Sequence, residues 1–232
     1  MAATDHRILR KPGEEPQNRR GQRPNVPLLD FHRGAPDIRD VEQGRDLGVA
    51  LYQMALRGMP LTEADGRTIV GLLDEALSDW PDDLDAWQAR GKILQIVKRP
   101  EGAIESLEEL LKRSPQHENS LVTLGQIYRD LGRKGESEEY WRRAIAVNPH
   151  FAEYYKNLVV LQAERQAWQE LQPHCRTWLE LDPGSVEARR IWVECLLATG
   201  KKDEAKAEFA KLLALDPKER EKLEAWFTER TR

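Results

Sequence analysis

From Val41 onward, apolar residues recur every three or four positions along this 232-residue chain, the spacing that keeps side chains on one face of a helix. Leu47, Leu51, Met54 and Ala55 form a first stripe, and Ile69, Leu72, Leu73, Ala76 and Leu77 form a second. The stretch 57–61 interrupts them, and Thr62 with Asp65 three residues later has the form of a helix-starting cap. From residue 82 the stripes become regular. Trp87, Gly91, Leu94, Ala103 and Leu107 are answered by Leu121, Leu124, Gly125, Tyr128, Trp141 and Ala144, and later by Trp192, Leu196, Ala205 and Phe209. Each stripe stops at a proline, and Pro81, Pro115, Pro149, Pro183 and Pro217 are spaced by 34 residues. Proline has no N–H for the next helical turn and moves its predecessor out of the α region, so a fixed proline period marks the joints of a repeat array.

The period predicts an all-α solenoid of helix pairs. An atypical first pair occupies 40–81, four regular pairs occupy 82–115, 116–149, 150–183 and 184–217, and a capping helix occupies 218–232. In that last helix Leu223, Trp226 and Phe227 share a face that can cover the open apolar side of the final repeat. Pro100 falls at the start of a second helix, where the missing N–H has no intrahelical partner to lose. Small residues opposite one another, Gly91 with Ala103 and Gly125 with Ser137, predict close approach within the first two regular pairs. The third pair departs from this pattern. Val159 stands opposite Leu171, Gln166 occupies the turn where the neighbouring pairs have Gly132 and Gly200, and Pro173 lies inside the second helix. A wider or locally kinked pair is the expectation there.

The order Leu124, Gly125, Tyr128, Trp141, Ala144, Pro149 at a 34-residue period resembles the tetratricopeptide repeat (TPR) family, and the resemblance extends over most of the chain after residue 40. It implies a right-handed α–α superhelix whose concave face is lined mainly by the first helix of each pair. It also implies a non-enzymatic scaffold that binds a peptide or protein segment there. The polar first-helix residues outside the core are then the candidate binding set. They are Gln88, Lys92 and Gln95 in the first regular pair, and Asn119, Gln126 and Arg129 beside Val122 in the second. Lys156 and Asn157 beside Val160 follow in the third, and Arg190 and Glu194 beside Glu187 in the fourth. Some family members hold terminal carboxylates with lysines and asparagines spread over adjacent repeats. Lys92, Arg129, Lys156 and Arg190 supply cations here, but the accompanying asparagines are mostly missing.

Charge divides the chain. Residues 1–39 hold five prolines and eight basic against five acidic residues, net +3, while the remainder holds 28 basic against 35 acidic, net −7. The first part reads as an extended or disordered basic leader, with 26–31 its most dockable stretch. The whole chain is at −4, with no basic surplus of the kind that marks nucleic-acid binding. No apolar run approaches the roughly 18 residues of a membrane span, and no signal-peptide core follows Met1. A soluble, cytoplasmic protein that binds neither membrane nor nucleic acid is expected. A second resemblance lies at Thr4, Asp5, His6, Arg7 and Ile8, which is similar to the segment joining haem-binding regions to TPR tails in some bacterial multihaem cytochromes c. It implies a detached, periplasmic TPR portion of an electron-transfer protein with His6 as a distal haem ligand, although C-x-x-C-H motifs are absent.

Catalytic constellations are not found, and neither a metal nor a cofactor is expected. His117 and His150 each follow a terminating proline and read as residues of equivalent loops. His174 and Cys175 are adjacent on a helix and diverge by about 100°. Cys175 and Cys195 read as small buried hydrophobes. Most of the seven tryptophans fall on helix-packing positions; Trp80 and Trp168 do not, which makes them candidate exposed anchors.

Overall fold

The computed structural model describes residues 46, 48, 49, 52, 53, 57 and 61–231. The basic leader, with His6 and the stretch 26–31, lies outside the described residues. Helical residues at 46–53 include Gly48, where an added β-carbon would lie 2.9 Å from Leu73 Cδ2, and the buried Tyr52. Helix α1 (Glu63–Asp79) begins at the expected capping box: the Thr62 hydroxyl accepts from the Asp65 N–H at 3.2 Å and the Asp65 carboxylate accepts from the Thr62 N–H at 2.9 Å. Four helix pairs follow: α2 (Leu84–Ile96) with α3 (Pro100–Arg113), α4 (Glu118–Asp130) with α5 (Lys134–Val147), α6 (Ala152–Glu164) with α7 (Trp168–Leu181), and α8 (Val186–Ala198) with α9 (Lys202–Leu215). A 3-10 turn (Pro217–Glu219) leads into α10 (Arg220–Thr231). The described residues contain no strand.

The proline period has a uniform backbone basis. The residues before the five prolines, Trp80, Ser114, Asn148, Asp182 and Asp216, all have φ between −126° and −135° and ψ between 73° and 87°. That is the displacement from the α region that a following proline enforces. Each still donates its N–H to the carbonyl four residues back, so the helix closes its last turn before stopping. Pro100 is the first residue of α3, as its missing N–H allows.

A second 34-residue period lies in the turns inside each pair. Lys98, Gly132, Gln166 and Gly200 adopt φ of 59°, 72°, 57° and 77°. In each turn the next residue's N–H reaches back five residues (Arg99 to Leu94, Arg133 to Tyr128, Ala167 to Gln162, Lys201 to Leu196), while the left-handed residue bonds three back. This is the Schellman ending, and glycine is its natural occupant. Two of the four joints carry a side chain in the left-handed region nonetheless. Gln166 is the departure noted from the sequence, and Lys98 is a second one.

Close approach within pairs is present, with a different partner from the one expected. A β-carbon on Gly91 would lie 2.7 Å from Leu107 Cγ, and one on Gly125 would lie 2.8 Å from the Trp141 ring. The space is therefore filled by the residue four positions beyond the Ala103 and Ser137 read from the sequence. Ser137 instead donates its hydroxyl to the Gly125 carbonyl at 2.7 Å. In the third pair, Val159 and Leu171 are fully buried and α7 runs unbroken through Pro173. The carbonyl of Gln169 loses its N–H donor there. Both residues are exposed, so water can replace it.

Packing runs along the array rather than into one centre. Helix α6 divides its face: Tyr154, Leu158 and Leu161 join a core with Trp141, Tyr128 and Leu107, while Tyr155 and Val159 join one with Trp178, Trp192 and Leu196. At the far end Phe227 of α10 stacks on Phe209 with centroids 4.1 Å apart, and Leu223 and Trp226 pack beside it.

Candidate functional site

The 34-residue period places residues 88, 122, 156 and 190 at one equivalent position of successive first helices, and residues 92, 126, 160 and 194 at the position one turn further on. Gln88, Lys92, Gln95, Gln126, Lys156 and Glu194 are half-buried, and Asn119, Arg129 and Arg190 are exposed. Asn157 is the exception. It is buried, its amide N–H donating to the Glu153 carbonyl at 2.8 Å and its oxygen accepting from Arg129 at 2.8 Å. It ties α4 to α6 instead of presenting a free amide, because it lies one residue past the outward position held by Lys156.

The other candidates are linked unevenly. Lys156 lies 3.6 Å from Glu153 and 3.8 Å from Glu187 on α8, and Glu194 lies 3.3 Å from Arg230 on α10. Among the described residues, Lys92 and Arg190 form no ion pair within 4.0 Å. Burial pushes the Lys92 ammonium below its ordinary pKa of 10.5.

A cavity of about 290 Å³ opens between α6 and α8. Val160, Ala163 and Ile191 supply its apolar lining, Glu164, Glu187, Arg190 and Glu194 its charged lining, and Gln166 and Trp168 the side at the turn. A second, of about 250 Å³, lies where Trp168 meets Ala167, Gln169, Glu170, Ala198 and Thr199. Trp168 therefore borders both. Trp80, the other candidate anchor, is 41% exposed at the end of α1. A further cavity of about 290 Å³ sits between α1 and the α2–α3 turn, with Arg67, Val70, Asp74, Val97 and Arg99 on its walls.

Several polar links were not legible in the sequence. The buried Glu138 accepts from Arg165 at 2.6 Å and from Arg142 at 3.0 Å, and Glu170 bonds the same two arginines. Glu108 accepts from the stacked Tyr128 and Tyr140 at 3.0 and 3.1 Å. Glu118 accepts from Tyr154 at 2.6 Å and from Asn148 at 2.9 Å, which lowers its pKa. Burial first, then the Glu108 carboxylate, pushes the Tyr128 phenol up to about 12. Most of these links join neighbouring helices through partners 20 to 36 residues apart, and none of them converges as a nucleophile with a base.

The two loop histidines lie in equivalent joints but at different positions within them. His117 stands at the N-cap position of α4 without a side-chain cap bond, its Nδ1 2.9 Å from the Ser120 hydroxyl, whereas His150 lies in the preceding turn position of the next joint. They are one residue out of register, since 117 corresponds to Phe151 and 150 to Gln116. His174 bonds Gln162 at 3.1 Å while Cys175 points its thiol at the Ala188 carbonyl, so the two do diverge. Both cysteines are free and buried, and burial pushes their pKa values up to about 12 for Cys175 and about 11 for Cys195. That suppresses the thiolate that chemistry would require. Among the described residues no group of three or more His, Cys, Asp or Glu could hold a metal ion, and no helix is long and apolar enough to cross a membrane.

Comparison with known proteins places this architecture. The tetratricopeptide repeat family matches residues 84–117, 118–151 and 194–219. A crystal structure of MamA superposes with a TM-score of 0.63 at 18% identity, covering 78% of this chain and 96% of that one. YrrB, described as a TPR protein with an unusual peptide-binding site, superposes with a TM-score of 0.62 at 16% identity, covering 77% and 88%. In sequence, the chain is 33% identical over 78 residues to the protein O-mannosyl-transferase Tmtc3 of Drosophila melanogaster. That stretch covers 32% of this chain and only 8% of the relative's length. With its helix pairs jointed every 34 residues into an α–α superhelix, the chain carries tetratricopeptide repeats over residues 84–117, 118–151 and 194–219 and shares the fold of known TPR proteins.

Proposed function

We propose that this protein is a non-enzymatic interaction scaffold that binds a peptide or protein segment along the face formed by its first helices. The observation carrying this reading is the row of outward positions on α2, α4, α6 and α8. Gln88, Lys92, Gln95, Gln126 and Arg190 stand there outside the core, and the cavity of about 290 Å³ opens between the last two of these helices. Amide and charged side chains at a repeat spacing suit an extended or helical guest whose own side chains recur along its length. YrrB, which shares the fold, has a peptide-binding site. Asn119, Arg129, Lys156 and Glu194 complete the proposed face, while Asn157 supports it from beneath. TPR proteins bind protein or peptide partners.

Photo-cross-linking tests the reading while the partner is still unidentified. A benzophenone amino acid introduced at position 88, 126 or 190 should capture the same partner from the source cell. The same group at exposed second-helix positions, such as 139 or 210, should capture far less. Equal capture from both sets would place binding elsewhere. His6, on which the cytochrome resemblance rests, lies outside the described residues.

A further inference from the structure

The second helices of the four pairs begin with Pro100, Lys134, Trp168 and Lys202. Only the third places a large aromatic at this joint, and it is the joint where two cavities meet. The other half-buried or fully buried tryptophans after α1 have evident occupations. Trp87, Trp192 and Trp226 each lie beneath an arginine guanidinium, and Trp141 and Trp178 are core residues. Among the described residues no cation lies over Trp168. Among the described residues, the charged groups lining the two cavities it borders are Glu164, Glu170, Glu187 and Glu194 with Arg190 as the one cation, and Glu164 is itself paired with Lys134 at 2.6 Å.

We propose that the edge formed by Trp168, Glu187 and Glu194 captures a lysine or arginine of a linear segment whose neighbouring residue is apolar. This rests on the first-helix binding face argued above and names the chemistry of the guest at one end of it. The guest cation would sit over the indole, where the ring's electron-rich face attracts it. The two carboxylates on α8 stand on either side of Arg190 and Ile191, and the guest's apolar neighbour fills the lining of Val160, Ala163 and Ile191. Glu187 and Glu194 are already paired, at 3.8 Å to Lys156 and 3.3 Å to Arg230, but both pairs are partly exposed and can exchange one cation for another. Glu170 stays with Arg165 at 2.6 Å and contributes field rather than contact. Arg190 is the one lining cation, so its removal should favour a basic guest.

The test uses the full chain and a phage-displayed library of random 12-residue peptides. Selected peptides should be enriched in Lys or Arg beside Leu, Ile or Phe. Their affinity, measured by titration calorimetry with synthetic copies, should fall by about tenfold or more in Trp168→Lys and in the Glu187→Gln/Glu194→Gln double variant. It should tighten in Arg190→Ala, which removes a cation from the cavity lining, and weaken as salt rises. Trp168→Lys installs the residue that two other pairs carry at this position, so its fold is protected, and circular dichroism checks it. Selected peptides that are acidic, or whose binding ignores Trp168 and the two glutamates, would overturn the proposal. If those peptides still lose affinity on substitution of Gln88 or Gln126, the first-helix face stands and only its basic end is lost. Peptides insensitive to every one of these positions would remove the binding face as well.

Discussion

Replacing Lys98 and Gln166 by glycine should make the protein more stable, although both changes remove side chains. The two residues hold φ of 59° and 57°, in turns whose hydrogen bonding is the same as that around Gly132 and Gly200. A side chain in the left-handed region costs roughly 1–2 kcal/mol relative to glycine. Glycine returns about 0.5–1 kcal/mol of that through its greater freedom in the unfolded chain. The net gain is then about 0.5–1 kcal/mol per site. The sites lie in different helix pairs, so the double variant should gain about 1–2 kcal/mol. Both side chains are exposed, so little packing is lost. Urea denaturation followed by far-ultraviolet circular dichroism and by tryptophan fluorescence measures the change. With a slope of about 2 kcal/mol/M, the midpoint should rise by about 0.5–1 M while the slope holds. The reverse substitutions, Gly132→Ala and Gly200→Ala, should each cost about 1 kcal/mol. An added β-carbon at either meets nothing within 4 Å, so backbone conformation is the only source of that cost. A midpoint in the double glycine variant that stays put or falls, at constant slope, would refute the argument.

Three further outcomes follow from the geometry. Gly125→Ala pushes a β-carbon to 2.8 Å from the fully buried Trp141 ring and should destabilise by about 1–3 kcal/mol, whereas Gly71→Ala, with open space beside it, should stabilise by about 0.5–1 kcal/mol; thermal melts distinguish the two. The Glu118 carboxylate is held below its ordinary 4.5 by Tyr154 and Asn148, so its contribution is fully present above that value and is lost as pH falls through the lowered one. Urea midpoints should therefore drop on acidification from about pH 5 to pH 3, and Glu118→Gln should flatten that slope; an equal slope in the variant would sink the assignment. Because burial raises both thiols, native protein at pH 8 should leave a thiol-specific chromogenic disulfide almost unreacted, and unfolding in guanidinium should release both cysteines together.

The candidate binding face was partly legible and partly not. Gln88, Gln126 and Arg190 could be placed outside the core because the helix period assigns a face to each of them. Asn157 is buried rather than outward because it lies about 100° further round the helix than Lys156, and its burial involves the approach of Arg129 from the preceding pair. The Glu138 cluster gave no warning at all. Arg165 lies 27 residues away and reaches the carboxylate because the α6–α7 turn folds back beside α5.

Helix ends and the repeat were decided locally. A proline every 34 residues stops a helix wherever it stands, since the missing N–H and the displaced predecessor act within one turn of chain. The stripes of leucine and tryptophan likewise commit each helix to a buried face before any neighbour is present. What required the assembled superhelix was the relation between pairs. Nothing near Lys98 announces a left-handed turn, because the conformation is imposed by the two helices that must pack across it. Nor does the run around Trp168 announce a cavity, because that space exists only where α6, α7 and α8 meet. Local steric rules set the elements, and neighbours distant in sequence set the surface on which a partner can be read.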